Sequence, residues 1–107
     1  MSAPEGWEAL CPAAKVPDGG IVPCQVGGKE LAVARVGQEL FCIDAVCYHA
    51  LGYLDEGEIE GYEIQCPLHE GRFDMRSGKP TREPAELPIG TYQLRDEEGM
   101  LYVRIDQ

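Results

Sequence analysis

Apolar and polar residues alternate along short stretches of the chain, and glycines separate these stretches. In residues 29–36, Leu31 and Val33 share one face of an extended strand, because successive side chains of a strand point to opposite faces. Ala32 and Ala34 occupy the other face, so the strand is apolar on both sides. This pattern favours a strand enclosed within a small barrel or sandwich.

This two-faced strand has a predicted neighbour on each side. The glycine pair at 27–28 indicates a hairpin turn after a strand over residues 20–26. A second turn at 37–38 precedes a strand over residues 39–44, in which apolar and polar positions again alternate. We therefore expect a meander of three strands over residues 20–44.

The C-terminal end repeats the alternation. Residues 89–95 alternate apolar and polar positions, residues 96–99 form a turn, and residues 100–105 form a returning strand. We expect these two strands to pair as a hairpin that closes the sheet against the meander. No stretch of the chain has a convincing helical period, so the predicted fold class is all-β.

The middle of the chain, residues 46–84, has a different composition. It is rich in glycine, proline and charge, and only 62–65 and 72–74 resemble strands. A segment with so little apolar content needs another source of stability, and a bound metal would supply it. We interpret this segment as an insertion into one β domain.

Size and charge restrict the function. The chain has 107 residues, which is the size of one domain, and 19 acidic against 9 basic residues give a net charge of -10. This acidity argues against binding to nucleic acid or to an anionic membrane surface. The sequence has no apolar run near the ~20 residues of a membrane helix and no visible secretory signal, so we expect a cytoplasmic protein.

Five cysteines are an odd number for a disulfide framework, and the expected compartment disfavours one. Metal ligands together with a few core thiols explain the count better. Cys11, Cys24 and Cys42 have no histidine nearby, and Cys42 follows Phe41 in a predicted strand. We expect these three to be small core residues.

The remaining two cysteines lie close to the two histidines of the chain. The motifs are Cys47-Tyr48-His49 and Cys66-Pro67-Leu68-His69, with sixteen residues between them. Two cysteines and two histidines suit a tetrahedral zinc ion or a 2Fe–2S cluster. A zinc finger that reads DNA orders its ligands differently and carries a helix, so that class of zinc protein is disfavoured. A zinc-stabilised interaction module remains open on the residues alone.

The two motifs resemble the CxH and CxxH signature of Rieske 2Fe–2S proteins. Residues 57–65 are similar to the turn and strand that precede the second motif in that family, and residues 71–74 and 77–80 to those that follow it. The resemblance implies a single Rieske domain over 1–107, an antiparallel β-sandwich with a small cluster-binding subdomain inserted at one end. That subdomain would span about residues 46–84.

The resemblance also implies the site. Cys47 and Cys66 would hold one iron of a single 2Fe–2S cluster, and His49 and His69 would hold the other. No residue would be catalytic. Neutral imidazoles place such clusters at about −150 to +300 mV, against about −400 mV for all-cysteine plant-type clusters.

Several positions refine this expectation. High-potential members of the family carry a disulfide where this chain has Gly52 and Leu68, and a hydroxyl where it has Gly71, so we expect a potential at the low end, roughly −150 mV. Tyr48 and Glu70 depart from the smaller residues usual in the family.

Two segments near the motifs have alternative interpretations. Pro84 resembles the proline loop that covers the cluster, or it belongs to a plain surface turn. The acidic run 55–60 is either a solvated loop or a docking surface for a basic partner.

By its size the chain is similar to the ferredoxin component of multicomponent aromatic-ring-hydroxylating dioxygenases. Such a protein is not itself an enzyme. It carries one electron from a flavin-containing reductase to a terminal oxygenase in aromatic compound catabolism, and we expect a monomer. The alternatives are the zinc module and a small subunit of a nitrite-reductase-like complex. Such subunits often lack the cluster ligands, whereas this chain keeps all four.

Overall fold

In a computed structural model of the chain, the described residues are 6–47, 52–54, 57–67, 71–82 and 88–104, with residues 47, 52 and 53 described by their backbone. Within these ranges the chain forms strands and short 3-10 segments, at Ala13–Lys15 and at Leu54, and no described residue belongs to a helix that could cross a bilayer. The all-β prediction is confirmed. In chain order the elements are β1 (Trp7–Pro12), the 3-10 turn (Ala13–Lys15), β2 (Ile21–Val26), β3 (Lys29–Val36), β4 (Glu39–Asp44), β5 (Val46–Cys47), β6 (Gly52–Tyr53), β7 (Glu58–Glu60), β8 (Glu63–Gln65), β9 (Arg72–Asp74), β10 (Pro80–Arg82), β11 (Thr91–Tyr92), β12 (Leu94–Glu97) and β13 (Met100–Arg104).

The predicted meander is present as β2, β3 and β4, and β11 adds to its free edge to give the order β11-β4-β3-β2. All neighbouring strands are antiparallel. Gly27 and Gly28 connect β2 to β3 with φ of 57° and 81°. Two successive left-handed residues give a tight turn whose twist matches the flanking strands, which explains the glycine pair.

Strand β3 is the central layer of the molecule. Residues 31–34 are all fully buried. Leu31 and Val33 pack into a core that also contains Leu101, whereas Ala32 and Ala34 pack into a second core on the opposite face. The prediction of a strand apolar on both faces is confirmed.

The first core is covered by a sheet of order β1-β13-β12. Strand β1 was not predicted from the sequence, and it pairs with β13 through a register that shifts between Ala9 and Pro12. The returning strand predicted over 100–105 is β13, and it pairs with β12 as expected.

The single strand predicted over 89–95 is wrong. Thr91 and Tyr92 pair with β4 in one sheet, and β12 begins at Leu94 in the other sheet. The chain crosses between the two sheets at Gln93, which belongs to neither strand. Apolar and polar residues alternate both before and after Gln93, so the sequence pattern gives no sign that the chain changes sheets there.

The second core is covered by a sheet of order β10-β9-β8-β7. The strands predicted over 62–65 and 72–74 are present as β8 and β9, and β7 and β10 extend them on either side. Ile64, Phe73 and Met75 are buried against the meander. The middle of the chain therefore contributes a large part of the second core, and our expectation that it lacks apolar support was too strong.

Gly57 allows the chain to pass close to β8. Its N–H donates to the Leu54 carbonyl at 2.9 Å, and a Cβ at this position would collide with the Gln65 carbonyl oxygen. The obstacle is backbone, so an added methyl group cannot be accommodated by a rotamer change. We predict that Gly57→Ala lowers the free energy of unfolding by about 3 kcal/mol, measured by urea denaturation.

Gly27→Ala is the matched control, because Gly27 has a left-handed φ of 57° but open space around it. This control should cost about 1 kcal/mol for the strained backbone alone. Equal losses in the two variants would contradict the close approach at Gly57.

Candidate metal centre

The first motif begins at Cys47, the last residue of β5. Val46 pairs with Tyr53 and Cys47 pairs with Gly52 in β6. Residues 48–51, which include His49, lie outside the described residues. The backbone of Cys47 is therefore fixed by strand pairing.

The second motif has the same arrangement at the tip of β8 and β9. Gln65 pairs with Arg72, and beyond this pair the N–H of Cys66 donates to the Gly71 carbonyl at 2.7 Å. The next residues along the chain lead to His69, which also lies outside the described residues. Each cysteine is thus held by backbone hydrogen bonds, and in the sequence a histidine follows it two or three residues later.

The two hairpins share one core at their bases. Cys66 is fully buried in the second core together with Ala45 and Leu54. Ala45 directly precedes β5 and Leu54 directly follows β6, and the Leu54 N–H donates to the Ala45 carbonyl at 2.6 Å. The structure therefore joins the flanks of the first motif to the cysteine of the second.

Of the four predicted ligands, the structure describes Cys66 in full and the backbone of Cys47. Across the described ranges, no three cysteine, histidine, aspartate or glutamate side chains converge as a second metal site. The other residues predicted near the cluster lie outside the described residues; they are Tyr48, His49, Leu68, His69, Glu70 and Pro84.

An arginine that the sequence analysis missed lies beside the second hairpin. The Arg72 guanidinium donates to Gln65 Oε1 at 3.0 Å, and it pairs with Glu60 at 3.2 Å and Glu63 at 3.5 Å. The hydrogen bond to Glu60 is the main cause that raises the pKa of Arg72. The available sequence signal was the opposite charge of Arg72 and of the two glutamates, Glu60 and Glu63, on short neighbouring segments of the chain.

This ion pair changes the interpretation of the acidic run 55–60. Glu60 is paired with Arg72, whereas Glu58 is exposed on β7 and Asp55 and Glu56 lie outside the described residues. Part of the run is therefore paired within the sheet of β7 to β10, and Glu58 remains on the surface.

The three other thiols lie in or against the first core, away from the hairpin tips. Cys42 is buried within this core, and the half-buried Cys11 and Cys24 pack against it. Desolvation by burial is the main cause that raises the pKa of both Cys24 and Cys42 to about 12. Across the described residues, neither thiol belongs to a group of side chains that could hold a metal ion.

Asp44 is a second polar residue that the sequence analysis missed. One carboxylate oxygen accepts the Gly90 N–H at 2.7 Å and the other accepts the Tyr92 hydroxyl at 2.6 Å. The signal was only an aspartate at the end of a strand, which is common at turns.

Comparison with known proteins decides the family. The family model of the Rieske [2Fe-2S] domain matches residues 6–93, which include both motifs and all the strands from β1 to β11. The chain belongs to the Rieske [2Fe-2S] domain family. Its cofactor is a Rieske-type 2Fe–2S cluster.

Relatives of similar length support this assignment. The chain is 37% identical over 100 residues to the ferredoxin component of the naphthalene 1,2-dioxygenase system of Pseudomonas putida, covering 94% of each chain. The ferredoxin of carbazole 1,9a-dioxygenase from Nocardioides aromaticivorans IC177 superposes with a TM-score of 0.88 at 34% identity, covering 92% of this chain and 97% of that one.

A complex of reduced oxygenase and oxidized ferredoxin in carbazole 1,9a-dioxygenase contains a chain that matches with a TM-score of 0.86 at 33% identity, covering 94% of both chains. A nitrite reductase small subunit from Mycobacterium tuberculosis matches with a TM-score of 0.81 at 17% identity, over 91% of this chain and 92% of that one. At this identity the second match shows a shared fold.

The donor set present in the chain fits such a cluster. Two thiols and two imidazoles are the ligands of a Rieske centre, and the sequence supplies them in the two motifs. Cys66 is in an apolar core that excludes water from its sulfur, and backbone pairing fixes Cys47. When bound, the cluster accepts and releases one electron.

The burial of Cys24 and Cys42 predicts low reactivity. With a pKa of about 12, the thiolate fraction at pH 8 is about 10⁻⁴. We expect iodoacetamide at pH 8 to leave both residues unmodified in the folded, cluster-loaded protein, as measured by peptide mass spectrometry. Denaturation with a chelator is the control and should expose all five cysteines to the reagent. Rapid labelling of Cys42 in the folded protein would contradict its assignment as a core thiol.

Proposed function

We propose that this chain is a one-electron carrier that passes electrons from a flavin-containing reductase to a terminal aromatic-ring-hydroxylating oxygenase in aromatic compound catabolism. The observation that carries this proposal is the match over nearly the whole chain to ferredoxin components of dioxygenase systems. The domain has the size of those components and is not itself an enzyme.

We assign the ligands as Cys47 and Cys66 to one iron and His49 and His69 to the other. Support comes from the equivalent backbone position of the two cysteines, each of which ends a paired hairpin. It also comes from the spacing, since each cysteine is followed by a histidine two or three residues later. Two neutral imidazoles leave the cluster less negative than four thiolates would, which raises its potential.

The protein residues around the site hold the cluster and need no acid–base chemistry. Both histidines of the chain are in the motifs, so no further histidine is present for proton transfer. Cys66 would hold the cluster from the apolar core in which it is buried. In the sequence, His49 and His69 follow the cysteines at which the two hairpins end.

The partners follow from this role. A solved complex pairs the oxygenase and ferredoxin of carbazole 1,9a-dioxygenase, and we extend the same kind of contact to this chain. A flavin-containing reductase, a monomeric state and a cytoplasmic location complete the proposal. A net charge of -10 favours basic patches on both partners and opposes self-association.

The alternative functions have less support. A zinc-stabilised interaction module would use the same four ligands without redox chemistry, but the family match favours a cluster. A role as a small subunit of a nitrite-reductase-like complex rests on similarity of fold at 17% identity or less.

The metal content tests the cluster directly. We expect about two irons and two sulfides per chain, a red-brown colour and visible absorption that bleaches on reduction. His49→Cys should retain a cluster at a lower potential, because a thiolate adds negative charge where a neutral imidazole stood. The measurements are metal analysis and a redox titration followed by visible absorption.

Cys42→Ala is the matched control for this substitution and should leave both the spectrum and the potential unchanged, because Cys42 lies in the first core. A colourless protein with one zinc per chain would overturn the proposed function. An unchanged potential in His49→Cys would contradict the assignment of His49 as a ligand.

The acidity of the chain predicts a salt-dependent reaction with its partners. Raising the ionic strength from about 0.01 M to about 0.15 M shortens the Debye length from about 30 Å to about 8 Å, so steering by exposed charges weakens. We expect the rate of cluster oxidation by the oxygenase, measured by stopped-flow absorption, to fall over this range.

Glu58→Gln should reduce this salt dependence if the surface of β7 contributes to docking, since Glu58 is exposed and Glu60 is already paired. Glu98→Gln, in the turn between β12 and β13, is the matched control for loss of one exposed charge. A rate independent of salt would contradict electrostatic steering.

A further inference from the structure

We propose that Asp44 is a positioning residue for the cluster, which fixes the hairpin that carries Cys47 by joining the two chain segments at the neck of the cluster-binding region. This inference rests on the proposed function, because it takes Cys47 as a ligand. It concerns residues outside the two ligand motifs.

The neck is the place where the chain leaves the meander and later returns to it. β4 ends at Asp44, and the chain then enters β5. It returns through residues 88–90 to β11, where Thr91 pairs with Ile43 and Tyr92 pairs with Cys42. The outgoing and returning segments are therefore adjacent, and Asp44 is the last residue of the outgoing strand.

Asp44 makes three hydrogen bonds to the returning segment. Its N–H donates to the Gly90 carbonyl at 3.0 Å, its Oδ2 accepts the Gly90 N–H at 2.7 Å, and its Oδ1 accepts the Tyr92 hydroxyl at 2.6 Å. These partners are 46 and 48 residues away along the chain. Hydrogen bonds to a carboxylate are stronger than those between neutral groups.

Gly90 permits this contact. A Cβ at this position would lie 2.7 Å from Asp44 Oδ2 and 3.0 Å from the Tyr92 hydroxyl oxygen. A larger residue would thus push the carboxylate away from the backbone N–H that it accepts. Gly90 and the Tyr92 hydroxyl therefore fix the position of the Asp44 carboxylate between them.

The same segment connects directly to Cys47. Two residues, Ala45 and Val46, separate Asp44 from Cys47, and the backbone N–H and carbonyl of Ala45 are both hydrogen-bonded. The Ala45 N–H donates to the Glu30 carbonyl at 3.0 Å, and its carbonyl accepts the Leu54 N–H at 2.6 Å. A displacement at Asp44 is therefore passed to the base of the β5–β6 hairpin over a short, hydrogen-bonded path.

The neck borders an open groove of about 470 Å³. Lys29 lies over the Tyr92 ring, with its Nζ 5.2 Å from the ring centroid, and Val46 lines the same groove. Tyr92 is thus held both by its hydroxyl and by its ring. The contact with Lys29 therefore also restrains Tyr92, whose hydroxyl donates to the Asp44 carboxylate.

The test compares Asp44→Ala with Asp18→Ala in the cluster-loaded protein. Asp18 is the matched control, because its Oδ1 also accepts a glycine N–H, that of Gly37, at 2.8 Å, but at an exposed turn of the meander. We expect Asp44→Ala to lose its visible absorption during incubation with a chelator about tenfold faster than Asp18→Ala, the order of effect known for residues that orient metal ligands. Its electron paramagnetic resonance spectrum in the reduced state should also change, whereas that of Asp18→Ala should not.

Asp44→Asn should rescue most of the retention, since an amide oxygen accepts the Gly90 N–H while the amide nitrogen donates to the Tyr92 hydroxyl oxygen. Tyr92→Phe removes the hydroxyl that donates to Asp44 Oδ1 and keeps the proposal testable should Asp44→Ala fail to fold; we expect about a threefold loss of retention. Equal retention in Asp44→Ala and Asp18→Ala, or wild-type retention and spectrum in Tyr92→Phe, would overturn the proposal.

These outcomes separate the inference from the proposed function. A wild-type protein with cluster absorption but no difference between the aspartate variants overturns the positioning role alone. A wild-type protein that carries no iron–sulfur cluster overturns the proposed function and this inference with it.

Discussion

The fold depends on one strand that is buried on both faces. Residues 31–34 of β3 have no exposed surface, and their alternating side chains enter two separate cores. The larger Leu31 and Val33 face the sheet of β1, β12 and β13, while the smaller Ala32 and Ala34 let the sheet of β7 to β10 approach closely. Because both outer sheets pack on this strand, β3 joins them into one structure.

This arrangement gives the metal centre a rigid base. The hairpins that carry the proposed ligands Cys47 and Cys66 are closed by backbone hydrogen bonds at these cysteines, and Cys66 belongs to the second core together with the residues that flank the first hairpin. An electron carrier benefits from such a base, since small changes of structure between its two oxidation states keep the cost of each transfer low. Asp44 extends the base to the neck, where the outgoing and returning segments meet.

Acidic and basic side chains pair in and beside the sheet of β7 to β10, while the whole molecule carries a net charge of -10. Arg72 is shared by Glu60 and Glu63, and Arg76 pairs with Asp74 at 2.9 Å. The hydrogen bond from Arg76 is the main cause that lowers the pKa of Asp74, which favours the ionised carboxylate. These local pairs leave the excess of 19 acidic over 9 basic residues to shape long-range attraction to partners.

The sequence by itself determined the features that are local. The two-faced pattern of β3 and its glycine turns specified the meander, and the spacing of Cys47, His49, Cys66 and His69 specified the kind of centre, because ligand type and spacing are written in consecutive residues. Only the tertiary structure decided the features that join distant residues. Strand β1, the crossing at Gln93 and the contacts of Asp44 with residues 46 and 48 positions away rest on long-range pairing, which local periodicity does not encode.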